Sequence, residues 1–151
     1  MIKKIFIVII VCLATTSCGF TPLAFYKENL NINIEVLDYE GDYQINSALR
    51  SKLAVHKNSD DEELYKIVIK TKYEKKDSSK DASGKIENFD LVASTTFEIR
   101  KKENTSKIRF EEKFSMENFS DDFEEESYEK EIKENFAESI YNKFISHILQ
   151  K

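Results

Sequence analysis

The sequence predicts an α+β two-layer sandwich, with two helices packed on one face of a four-stranded, mostly antiparallel sheet. Three observations carry this. Four segments alternate apolar and polar residues with period two, and two segments repeat apolar residues every four. Their order along the chain is strand, helix, three strands, helix. Residues 30–151 hold all six elements without an internal repeat or linker, which makes them a single domain.

The first strand is expected from Leu30 to Val36, where Leu30, Ile32, Ile34 and Val36 alternate with Asn31, Asn33 and Glu35. Asp38 to Asp42, DYEGD, supplies a turn signal. From Tyr43 to about Val55, Ile45, Leu49 and Leu53 form one helix face, and Asp42 is placed to cap it. The polar run from His56 to Asp61 follows as a turn. A second strand runs from Leu64 to Tyr73, with Tyr65, Ile67, Ile69, Thr71 and Tyr73 on one side. The charged stretch Glu74 to Lys85, with Gly84, reads as a long exposed loop or hairpin tip. Strands from Phe89 to Arg100 and from Ser106 to Met116 then pair as a hairpin across Lys101 to Thr105. Glu112 falls on the core-facing register of the last strand, at the sheet end or at a bulge. The long helix runs from about Asp122 to Leu149, with Tyr128, Ile132, Phe136, Ile140 and Phe144 as its apolar ladder. The acids at its start, Asp121 to Glu126, complement the positive end of the helix dipole.

Charge excludes one class of partner. The chain has 151 residues with 28 Asp plus Glu against 23 Lys plus Arg, a formal charge of −5. Nucleic-acid backbones are bound by clustered cations, whereas these are outnumbered and interspersed with acids, so no nucleic-acid partner is expected.

The opening residues 1–17, MIKKIFIVIIVCLATTS, have the charged, apolar and small-residue regions of a secretory signal in the right order. Their apolar core from Ile5 to Ala14 would cover about 15 Å as a helix, half of the roughly 30 Å hydrocarbon slab, which is too short for a permanent span. Cys18 at the cleavage point resembles the lipid-modified cysteine of a bacterial lipoprotein signal, with Ser17 as the small residue before it. Cys12 is discarded with the signal, so the mature chain has no cysteine partner for Cys18 and no internal disulfide. Several acyl chains on Cys18 would hold the domain firmly at a membrane. Residues 18–29 are then a tether, kept extended near Pro22 and carrying Phe20, Leu23, Phe25 and Tyr26.

Chemistry is sparse. His56 and His147 are the two histidines, and neither has the short-spaced partners of a zinc site. The sequence lacks a phosphate-binding glycine loop, a serine elbow and a paired Cys–His motif, so no enzyme activity, metal or cofactor is expected. The aromatic set of 11 Phe and 7 Tyr suits an interface as well as a core. The candidates for a protein interface are Phe20, Phe25, Tyr26, Tyr39, Tyr43, Phe119 and Phe123. For anionic lipid groups the candidates are Lys70, Lys72, Lys75, Lys76, Arg100, Lys101 and Lys102, near the ends of adjacent strands.

The mature opening Cys18-Gly19-Phe20-Thr21-Pro22-Leu23 resembles that of the LptE family, the outer-membrane lipopolysaccharide-assembly lipoproteins, in its alphaproteobacterial branch. The likeness extends through the early Ile-rich strand, the helix with Leu49 and Leu53, three strands, and a terminal helix with Phe136 and Ala137. It departs where Ala24 follows Leu23 and in the Lys- and Glu-rich terminal helix. The resemblance implies a two-helix, four-stranded sandwich seated within an LptD-like outer-membrane barrel, where it acts as plug and assembly partner and contacts lipopolysaccharide. It implies no bond made or broken. Gly19, in place of an aspartate after the anchor, is in keeping with outer-membrane sorting. The alternatives are an adaptor or ligand-binding lipoprotein of another envelope complex and an envelope hydrolase without a recognisable motif.

Overall fold

The computed structural model describes residues 32–57, 64–101 and 104–150. The signal, Cys18, the tether with Phe20, Phe25 and Tyr26, and Lys102 lie outside the described residues.

Six main elements follow in the expected order: β1 (Asn33–Gly41), α1 (Tyr43–Leu53), β2 (Leu64–Lys80), β3 (Ile86–Lys101), β4 (Asn104–Glu117) and α2 (Asp122–Leu149), with a 3₁₀ turn at Ala54–His56 after α1. The sheet order is β1-β2-β3-β4. β1 runs parallel to β2, as its helical crossover requires, while β2–β3 and β3–β4 are antiparallel. Both helices cover the same face, so the molecule is the α+β two-layer sandwich the pattern predicts.

Period two decides which residues meet the helices. Ile67, Ile69, Leu91, Ala93, Phe97 and Met116 point into the interlayer, where they meet Ile45 and Leu49 of α1 and Ile140 and Phe144 of α2. Phe97 stacks on Phe144 with ring centres 4.0 Å apart and meets Phe110 edge-on at 6.0 Å. The two buried sheet hydroxyls, Thr71 and Thr95, satisfy each other at 3.0 Å across the β2–β3 pair.

Both helix starts are built as capping chemistry demands. Asp42 accepts from the Ile45 amide at 2.9 Å and Asp121 from the Glu124 amide at 3.0 Å. Asp122, Glu124 and Glu125 occupy the first turn of α2.

Several expectations from the sequence are corrected by the structure. DYEGD is not a turn throughout, because pairing with β2 continues to Gly41 opposite Thr71. The extra residue is absorbed as a bulge at Leu37, which restores Tyr39 to the helix side. The reversal falls on Gly41 alone, at φ +96°. Glu74 to Lys85 is not a long loop either. β2 extends to Lys80 and β3 starts at Ile86, so the hairpin tip is confined to residues 81–85. There Asp81 Oδ1 accepts from the Ser83 amide at 2.8 Å and the Lys85 amide at 2.9 Å. Polar alternation in these arms is what a solvated hairpin uses, which is why it looked like a loop. Finally, Glu112 lies at neither a bulge nor a sheet end. It sits mid-strand opposite Ala93 and is tied to α2 by Ser139 Oγ at 2.8 Å and Lys143 Nζ at 2.6 Å.

His56, expected in a polar turn, is buried, and its Nε2 lies 2.8 Å from the Tyr141 hydroxyl. Burial lowers its proton affinity.

Candidate functional site

The sheet face away from the helices is a web of opposite charges. Lys70 Nζ lies 3.1 Å from Glu40 and 3.7 Å from Glu98, and Lys107 reaches Glu98 at 2.9 Å. Lys72 and Lys76 both bond to Glu74, and hydrogen bonds from the two ammonium groups hold its carboxyl down at about 2. Lys113 pairs with Asp90 at 2.7 Å, and Arg109 with Glu111 at 3.0 Å. Arg100 stands on the same face, opposite Lys66.

The lysines proposed from sequence are therefore divided between two faces. Lys70, Lys72, Lys76 and Arg100 lie on the open face, the first two in mid-strand, and the three lysines are already paired with carboxylates. Lys101 packs on the Tyr65 ring, its Nζ 5.0 Å from the ring centre. Lys75 points under α2, where Nζ lies 2.7 Å from Glu125 and 2.9 Å from Glu129 and sits 4.5 Å over the Phe89 ring.

Lys75 belongs to a polar clamp that sequence reasoning did not single out. Glu129 also accepts from the Tyr73 hydroxyl at 2.9 Å and faces Lys133 at 3.5 Å. Lys133 in turn faces the cap residue Asp42 at 3.4 Å and covers the Tyr73 ring at 4.0 Å. Burial, the largest single effect on each, would raise Glu129 and lower Lys75, but it is outweighed by the sum of the hydrogen bonds and charges of Lys75, Tyr73 and Lys133 on Glu129 and of Glu125 and Glu129 on Lys75, leaving the carboxyl below and the amine above their ordinary values. Tyr73 is pushed far up by burial, then by its bond to Glu129 and by the charges of Glu129 and Asp42. The clamp has a mechanical role. From Asp122 to Glu131 no residue of α2 is buried, the first being Ile132. Apart from Tyr128, which meets Phe114 and Phe119 at 6.3 and 5.4 Å, this stretch is fastened by charge. The signal was present: Lys75 shares the parity of Thr71 and Tyr73, and Glu125, Glu129 and Lys133 recur every four residues.

The aromatic candidates also divide. Tyr39 lies under the Arg50 guanidinium, 4.6 Å from ring centre to carbon, and Phe119 packs on Tyr128. Tyr43 and Phe123 are bare instead, at 82% and 78% exposed. Both border depressions along the outer side of the helix pair. A groove of about 810 Å³ is lined by Tyr43, Ser47, Lys52, Glu134 and Glu138, and one of about 710 Å³ by Phe123, Glu126, Glu129 and Lys133. Gln44 and Lys130 line both, so the two adjoin. Lys52 and Glu138 pair across the helices at the first.

Among the described residues there is no group of three or more His, Cys, Asp or Glu placed to hold a metal, and no helix long and apolar enough to cross a membrane.

A two-layer sandwich of this kind is shared with solved bacterial lipoproteins. Rare lipoprotein B from Shewanella oneidensis superposes with a TM-score of 0.56 at 12% identity, over 77% of this chain and 98% of that one. A minor lipoprotein from Acinetobacter baumannii gives 0.51 at 16% identity, over 74% and 93%. At such identities the likeness is one of fold. No protein-family model and no curated protein matches the sequence.

Proposed function

We propose that this chain is a non-enzymatic lipoprotein, held at the outer membrane by acyl chains on Cys18, whose domain plugs and helps assemble an LptD-like barrel in lipopolysaccharide export to the cell surface. The observation that carries this is the coincidence of two independent features. A lipoprotein-type signal ending at Cys18 precedes a two-helix, four-stranded sandwich, and that sandwich is the fold of solved lipoproteins such as rare lipoprotein B. The choice of barrel and cargo rests on the LptE-like opening from Cys18 to Leu23.

Physical chemistry supports the placement. A domain facing the periplasm and a barrel lumen meets water and polar walls, and the charge-paired sheet face suits that environment. Exposed Tyr43 and Phe123 suit protein contact. Depletion of the protein in its native cells tests the role. Newly made lipopolysaccharide should stop reaching the surface and the barrel should fail to mature; unchanged surface lipopolysaccharide in depleted cells would contradict it.

A further inference from the structure

We propose that the groove over the two helices, between Tyr43 and Phe123, receives a segment of the barrel protein that carries Lys or Arg beside an apolar side chain. This rests on the functional reading above and names the surface that serves it.

The argument begins with the aromatics. Tyr43 and Phe123 leave roughly four-fifths of their surface in water, the most of the exposed large apolar and aromatic side chains among the described residues. Each is rigid and large, the type of side chain that anchors a protein interface when its surroundings can be desolvated. They border adjoining depressions that share Gln44 and Lys130, so one extended segment can lie along both.

Charge then selects the occupant. Much of the floor is already neutralised from within: Lys52 pairs with Glu138, Lys75 with Glu125 and Glu129, and Lys133 with Asp42 and Glu129. Among the lining residues, Asp122, Glu126 and Glu134 carry no ion pair within the described residues, and Lys130 is the unpaired cation beside them. Three carboxylates against one ammonium leave the groove acidic. Phosphorylated lipid would be repelled, and a bare acyl chain would strand the carboxylates without partners. A second copy of this chain, itself at −5, is a poor match. A basic and apolar polypeptide segment satisfies both the rings and the acids.

The test places p-benzoylphenylalanine at Tyr43, Phe123, Ser94 or Glu111 in the full-length lipidated protein within its native envelope. Ser94 and Glu111 face each other on the open sheet face and report on the opposite side. Irradiation should link positions 43 and 123 to the barrel at least tenfold more strongly than 94 and 111, whose charge-paired face meets the lumen wall across water. In a second arm, E126K combined with E134K should lower crosslinking from position 123 at least tenfold while the melting temperature stays within a few degrees, because both residues are exposed. Crosslinks to the barrel from 94 and 111 alone, a crosslinked homodimer from 43 and 123, or an undiminished yield in the charge-reversed protein would each overturn the surface while leaving the plug role standing. If the unsubstituted protein brings down no barrel from the same envelopes, the plug role and the surface fall together.

Discussion

Lys75→Met isolates the clamp that fastens the start of α2. Methionine keeps an apolar chain of similar length and removes the ammonium from over the Phe89 ring and from between Glu125 and Glu129. Removing one member of a fully buried ion pair costs about 3–5 kcal/mol, because the partner keeps its desolvation penalty. Here the Lys75 side chain is 26% exposed and each glutamate 18%, and Glu129 retains Tyr73 and Lys133. Water and the remaining donors should reduce the cost to about 2 kcal/mol. The loss should be local as well as global, since no residue from Asp122 to Glu131 is buried. Urea unfolding gives the first quantity, and native-state hydrogen exchange gives the second. Amides of 122–131 should exchange well before those of 132–149, and Lys75→Met should widen the gap. Lys75→Met combined with Glu129→Met should recover part of the loss. An unfolding free energy within about 0.5 kcal/mol of the parent, with unchanged exchange over 122–131, would refute the reasoning.

Gly41→Ala should cost at least about 3 kcal/mol or prevent folding, because a Cβ there would lie 1.7 Å from the Thr71 carbonyl oxygen at φ +96°; a thermal melt within a few degrees of the parent would count against this. Glu112→Val should fold but associate with itself, since it removes the inward-facing charge from edge strand β4, and sedimentation checks this. His56 has a folded proton affinity below its ordinary 6.5, so its contribution is fully present above that value and is lost as pH falls toward the depressed one. Stability should therefore start to decline below about pH 6.5, and His56→Gln should flatten that part of the profile. Glu129, likewise depressed, adds a second loss at lower pH, which begins below its ordinary 4.5 and continues as pH falls through its lower folded value.

The sequence made the layers legible because burial and periodicity coincide in them. The ladder Ile132, Phe136, Ile140, Phe144 and the alternation Leu91, Ala93, Thr95, Phe97, Ile99 appear in the structure as buried faces. The limits of α2 agree to the residue, since Asp121 is a strong cap and the acids after it fit the dipole. Legibility failed where polar residues take part in regular structure. The arms of the β2–β3 hairpin are strands made of Lys, Glu, Asp and Ser, held by backbone pairing and by charge across the open face, which hydropathy does not register. The bulge at Leu37 hid the rest of β1 for a related reason, because one extra residue inverts the alternation. For the interaction surfaces, residue type alone put Tyr39 and Phe119 beside Tyr43 and Phe123. Packing separates them, the first two being covered by Arg50 and Tyr128. The same holds for Lys75 against Lys72 and Lys76, neighbours in sequence whose side chains stand on opposite faces of β2.

The central claim is a lipidated plug in a barrel, and the direct measurement is affinity purification of the full-length, C-terminally tagged protein from gently crosslinked native envelopes. Mass spectrometry then identifies both the modification on Cys18 and the co-purifying chains. The account predicts acylated Cys18 and an LptD-like outer-membrane barrel at one copy per copy; correctly lipidated, well-solubilised protein that brings down no barrel would contradict it and favour an adaptor of a different envelope complex.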